Sequence, residues 1–123
     1  MISFEKFILE DGIPIYMQIM RHIKQGIVSG SIQNGDEMPS RRTLSVLLGV
    51  NPNTVQKAYH LLEEENIIAS HSGAISYIIL EEAKVETLRR QLLENDVSAI
   101  INNMKKTGIS KEEALLLIST LWE

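Results

Sequence analysis

The stretch that decides the fold is Ser40-Arg41-Arg42-Thr43-Leu44-Ser45-Val46-Leu47-Leu48-Gly49-Val50-Asn51-Pro52-Asn53-Thr54-Val55-Gln56-Lys57-Ala58-Tyr59-His60-Leu61-Leu62. Ser40 is an N-cap residue, and Leu44, Leu47 and Leu48 follow at helical spacing. Gly49 closes that helix with a tight turn, and Val50 plugs it. Asn51 caps a second helix, and Pro52 takes its first position, where a missing N–H costs nothing. Inside it Val55, Ala58, Tyr59 and Leu62 form one apolar face. Asn53, Thr54, Gln56, Lys57 and His60 form the other. Two helices docked through a glycine turn, with the second polar on its outer side, make a helix-turn-helix. A major groove admits such a helix, and short or forked hydrogen-bonding side chains match its base edges.

Upstream, Pro14 opens a helix over about 14–29, on which Ile15, Ile19, Ile23 and Ile27 recur every fourth residue. Residues 1–13 read as an extended lead with a turn at Asp11-Gly12. Met38-Pro39 reads as an extended bridge. Downstream, Ile67–His71 and Ile75–Leu80 are rich in β-branched residues and flank Gly73, which predicts a hairpin. The helical period then returns. Val85, Leu88, Leu92, Leu93, Val97, Ile100, Ile101 and Met104 form a wide stripe that Gly108 ends. Ser110-Lys111-Glu112-Glu113 is a capping box before Ala114, Leu115, Leu117, Ile118, Leu121 and Trp122. The expected fold is mainly α with a small β-hairpin: a winged helix-turn-helix over 1–80 and a two-helix dimerisation tail over 81–123.

Composition narrows the function. The 123 residues carry a net charge of −4, with 44 % hydrophobic and 23 % charged residues, the balance of a globular protein. There is no cysteine, so disulfides, thiolate metal sites and cysteine nucleophiles drop out. No apolar run reaches the ~18–20 residues of a membrane span, and no signal peptide is visible, so cytoplasmic residence is expected. The overall acidity argues against indiscriminate nucleic-acid binding. Its distribution does not, because Arg21, Lys24, Arg41, Arg42 and Lys57 face only Asp36 and Glu37 between residues 21 and 62. His22, His60 and His71 are not spaced as metal ligands. Glu63-Glu64-Glu65 point in different directions on a helix and cannot flank one bond. No phosphate loop or catalytic triad is recognisable, so an enzyme is not expected, and no cofactor or metal is implied.

Pro14-Ile15-Tyr16-x-Gln18-Ile19, Gly30, Gly35, Met38-Pro39-Ser40-x-Arg42-x-Leu44, Leu48-Gly49-Val50, Asn53-Thr54-Val55-x-x-Ala58-Tyr59 and Leu62-Glu63 resemble the winged helix-turn-helix of the GntR family of bacterial transcription regulators. The resemblance runs in register from about Pro14 to Leu80. The short tail is similar to that of the YtrA-like subgroup, in which it pairs two subunits. The resemblance implies a DNA contact for Arg42, a helix cap facing phosphate for Ser40, and contact with the duplex for Asn51, Asn53, Thr54 and Gln56. It also implies a wing tip at Gly73. Asn66 stands where the family usually has glycine, and Ser70-His71-Ser72-Gly73-Ala74 lacks the family's usual basic residues around two glycines.

Together these readings predict a sequence-specific, dimeric transcriptional regulator, a repressor on a palindromic operator, with double-stranded DNA as partner. The DNA-binding set is Ser40, Arg41, Arg42, Asn51, Asn53, Thr54, Gln56, Lys57, His60 and Gly73. The dimer interface is Val85, Leu88, Leu92, Ile100, Met104, Leu115, Ile118, Leu121 and Trp122. The alternative is a winged-helix module for protein–protein contact without DNA binding. A small-molecule effector between the tail helices is left open, and no membrane partner is expected.

Overall fold

The computed structural model describes residues 1–71 and 75–123. Its elements run α1 (Ile15–Ser29), α2 (Arg41–Leu48), α3 (Pro52–Glu64), β1 (Ile68–His71), β2 (Ile75–Ile78), α4 (Glu82–Thr107) and α5 (Lys111–Leu121). The chain forms two compact units, Met1–Leu88 and Arg89–Glu123.

The first unit is built on α1. Ile19, Ile23 and Ile27 are fully or nearly fully buried, as the four-residue spacing requires. They meet Leu44 of α2, Val55, Ala58, Tyr59 and Leu62 of α3, and Ile68 and Ile78 of the hairpin in one apolar cluster. Burying a side chain of this size contributes about 1.5–3 kcal/mol, so this cluster holds the helix-turn-helix against α1. Gly26 allows a close approach, since a Cβ there would lie 2.3 Å from Ile32 Cδ1.

Local signals fix the helix ends. Ser40 Oγ accepts from Thr43 N at 3.0 Å, and Asn51 Oδ1 accepts from Asn53 N at 2.8 Å. Gly49 takes the left-handed conformation, with φ +67°, at the sharp turn between α2 and α3. Asn66 does the same after α3, with φ +58°. A left-handed residue at that point explains why the family pattern has glycine there. Asparagine is the side chain that tolerates the strain best.

β1 and β2 pair antiparallel, with Ile68 opposite Ile78 and His71 opposite Ile75. Residues 35–38 lie along the other edge of β2. Met38 N donates to Ser76 O, Ile78 N to Asp36 O and Gly35 N to Ile78 O, all within 2.9 Å. The extended Met38-Pro39 bridge therefore serves as an edge of the wing.

Two features depart from the sequence reading. Leu47 is 62 % exposed, whereas Ser45 is buried beside Leu44. The inner face of α2 is Leu44, Ser45 and Leu48, because at about 100° per residue these three share one side and Leu47 falls about 60° to the other. The N-terminal lead is not a loose extension, since Ile2 and Phe4 are buried and Ile2 N donates to Glu37 O at 2.8 Å. Gln18 holds the far end of that lead. Its Nε2 donates to the carbonyls of Glu10 and Ile13, and its Oε1 accepts from Glu10 N. His22 is partly covered. It lies against Phe4 and Phe7 with ring centres 4.5 and 5.2 Å away, and its Nε2–H donates to Ser3 O.

The second unit is a helical end with no interior. None of its side chains is buried. Leu93, Val97, Ile100, Ile101, Leu115, Leu117, Ile118, Leu121 and Trp122 are all exposed. Ser110 Oγ caps α5 by accepting from Glu113 N, and Gly108 has φ +82° after α4.

Candidate nucleic-acid interface

The site is the outer side of α3 with the start of α2 beside it. α3 is amphipathic by position: Val55, Ala58, Tyr59 and Leu62 are at 0 % exposure, while Asn51, Asn53, Gln56, Lys57 and His60 are exposed. Thr54 lies at the margin, half-buried. The amide of Asn51 is engaged through its oxygen in capping, which leaves its N–H₂ group to face outward. Asn53 and Gln56 each present a donor and an acceptor on one amide, the combination that reads an adenine edge.

The start of α2 adds charge and free backbone N–H groups. Such a helix end attracts an anion. Ser40 is spent in part on its own helix, since its hydroxyl also donates to Thr43 Oγ1 at 2.7 Å. Arg42 is exposed. Arg41, its neighbour, is turned inward: its Nη2 donates to Glu63 Oε1 at 2.6 Å, and its guanidinium lies over the Tyr59 ring.

Other basic side chains are also held. The Lys57 ammonium sits 4.0 Å from the centre of the Tyr16 ring, a contact between α3 and α1. A cation–π contact at an exposed site contributes about 0.5–1 kcal/mol. That is small enough for a phosphate to compete for the same ammonium. His60 Nε2 lies 2.8 Å from Glu64 Oε1 one turn along α3, and Lys24 pairs with Glu65 at 2.9 Å. Lys84 at the start of α4 donates to the carbonyl of Glu65, where α3 ends. Arg42 is thus the basic residue of the DNA-binding set for which no internal ion pair or ring contact is described.

Tyr59 is a core residue. Burial pushes its phenol above the usual tyrosine value, and the nearby Arg41 charge partly opposes this. Its hydroxyl donates to Pro39 O at 2.5 Å, which ties α3 to the bridge before α2. Gly73, expected at the wing tip, lies outside the described residues.

Of the residues expected at the dimer interface, Leu88 is buried in the core of the first unit, and Val85 packs against that core. Leu92 and Met104 are half-covered; Ile100, Leu115, Ile118, Leu121 and Trp122 are exposed. What looks like one stripe along α4 is two. On a helix of 3.6 residues per turn, Leu93, Val97, Ile100, Ile101 and Met104 centre about 130° around from Val85 and Leu88. The change of face falls between Leu92, which lies on the side of Val85 and Leu88, and Leu93.

Among the described residues no cluster of histidine and carboxylate side chains could hold a metal ion, and no helix is long and apolar enough to cross a membrane.

Comparison with known proteins agrees with this geometry. The family model described as "Bacterial regulatory proteins, gntR family" matches residues 15–78. The uncharacterized HTH-type transcriptional regulator YhcF of Bacillus subtilis is 33 % identical over 110 residues, spanning 89 % of this chain and 91 % of that protein. The HTH-type transcriptional repressor YtrA of the same organism is 40 % identical over 85 residues, spanning 64 % of this chain and 65 % of that one. A solved GntR family transcriptional regulator from Listeria monocytogenes superposes with a TM-score of 0.78 at 34 % identity, covering 92 % of this chain and 99 % of the other.

Proposed function

The chain is a YtrA-like member of the gntR family of bacterial regulatory proteins, and we propose that it acts in the cytoplasm as a dimeric, sequence-specific repressor on a palindromic operator. The observation that carries this reading is the two-sided character of α3. Its apolar side is wholly committed to the core, and its polar side lies bare. Within its own unit that face makes the Lys57–Tyr16 contact, while Asn53, Gln56 and His60 stay exposed. Asn53, Thr54 and Gln56 contact base edges, while Arg42 and Lys57 contact phosphate. Ser40 and Asn51 orient the first turns of their helices toward the backbone of the duplex.

Pairing follows from the tail. A unit of this size with no buried side chain cannot be stable alone. The exposed side chains of Leu93, Val97, Ile100 and Ile101 on α4, with the half-covered Met104, and of Leu115, Ile118, Leu121 and Trp122 on α5, are covered by those of a second copy. Two-fold pairing then offers two recognition helices to half-sites about one helical turn apart, roughly 34 Å. Repression by occupancy of a promoter is the mode of action we infer, and the similar Bacillus subtilis protein YtrA is itself a transcriptional repressor.

Selection of bound duplexes from a random pool tests the proposal. The expected result is an enriched two-fold symmetric sequence whose affinity falls steeply with salt. No enrichment at about 50 mM salt, where phosphate attraction is strong, would favour a protein–protein module instead.

A further inference from the structure

Arg41 and Arg42 are adjacent and chemically identical, yet their surroundings differ. The Arg41 guanidinium joins three elements. Nη2 donates to Glu63 Oε1 at 2.6 Å near the end of α3. Nη1 reaches Ser76 Oγ of β2 at 3.4 Å, a long bond. The guanidinium carbon lies 4.8 Å from the centre of the Tyr59 ring. Nε is buried and has no hydrogen-bond partner among the described residues. Two further bonds extend the cluster: Tyr59 to Pro39 O, at the entry to α2, and Ser76 Oγ with Ser70 Oγ of β1 at 3.2 Å.

A rigid planar fork suits this arrangement, because it can pair with a carboxylate, lie on a ring and reach a hydroxyl at once. A phosphate that drew Arg41 away from Glu63 would strand a carboxylate that is about two-thirds covered. The ring contact with Tyr59 would be lost as well.

We propose that Arg41 is a positioning residue that locks β2 to both helices of the helix-turn-helix, so that wing and recognition helix meet the duplex at a preset angle. This rests on reading the α3 face as a DNA contact.

Arg41→Met and Glu63→Ala test it, with Arg42→Ala for comparison. Affinity is measured for the duplex selected from the random pool and for a scrambled duplex of equal length. Amide exchange is measured in β2 of the free protein. Positioning predicts that Arg41→Met and Glu63→Ala each lower the selected-to-scrambled ratio at least fivefold, and that the double variant is no worse than the poorer single one. It also predicts at least tenfold faster exchange at Ser76 and Ile78. A direct phosphate role predicts the opposite for Glu63→Ala: both affinities rise together and the ratio holds. That result, or unchanged exchange in β2, overturns the proposal. If Arg41→Met fails to fold, Glu63→Ala, at a partly exposed helix end, decides. A wild-type protein with no selectivity would contradict the DNA reading itself, while β2 exchange would still decide the lock.

Discussion

Arg42 and Asn66 show what single residues contribute. Arg42 stands exposed in the first turn of α2, so its removal leaves the core untouched. Arg42→Ala is expected to weaken binding to the selected duplex tenfold or more, and to reduce the slope of log affinity against log salt by about one. Circular dichroism should be unchanged; equal affinity in a gel-shift titration would remove Arg42 from the contact set. Asn66 carries φ +58° after α3. Asn66→Ala should destabilise the fold by about 1 kcal/mol, because alanine resists the left-handed region, whereas Asn66→Gly should not. Urea unfolding of the two variants checks this. The sequence hinted at Asn66 through the glycine expected there. It could not separate Arg41 from Arg42. What separates them is Glu63, Tyr59 and Ser76, which lie more than four helical turns or a whole strand away in the chain, and no local pattern encodes such a meeting.

At the scale of elements, boundaries were legible and faces less so. Ser40, Asn51, Ser110, Gly49 and Gly108 act within three or four residues of themselves, so their roles can be read directly from the sequence. The inner face of α2 was not legible in full, since Leu47 and Ser45 exchange the places their hydrophobicity suggests. Leu44→Ala is therefore expected to cost about 2–5 kcal/mol and Leu47→Ala less than about 0.5 kcal/mol, as measured by chemical denaturation. The N-terminal lead has no period to read. Its docking depends on Ile2 and Phe4 finding a groove made by distant elements. Along α4 the apolar residues do have a period, but two phases of it are joined end to end. The first phase, at Val85 and Leu88, belongs to the chain's own core. The second begins at Leu93 and carries the proposed pairing surface.

At the scale of the whole molecule, the fold separates two tasks. The first unit has a buried apolar core and leaves one polar helix face exposed; the second buries none of its side chains. The proposed pairing through the second unit would make DNA binding bivalent and so link the two tasks thermodynamically. Val97→Asp combined with Ile100→Asp should give monomers in sedimentation at concentrations where the wild type is dimeric. Affinity for the full two-fold site should drop at least a hundredfold, while affinity for a single half-site stays about the same. A double variant that remains dimeric would move the interface elsewhere.

The most direct test of the central claim is the pair Asn53→Ala and Gln56→Ala, combined and measured on the selected duplex and on scrambled DNA. If the bare side of α3 reads bases, selectivity falls toward unity while general duplex affinity persists, since each base contact carries about 1–3 kcal/mol of discrimination. Full selectivity in that double variant would contradict the account.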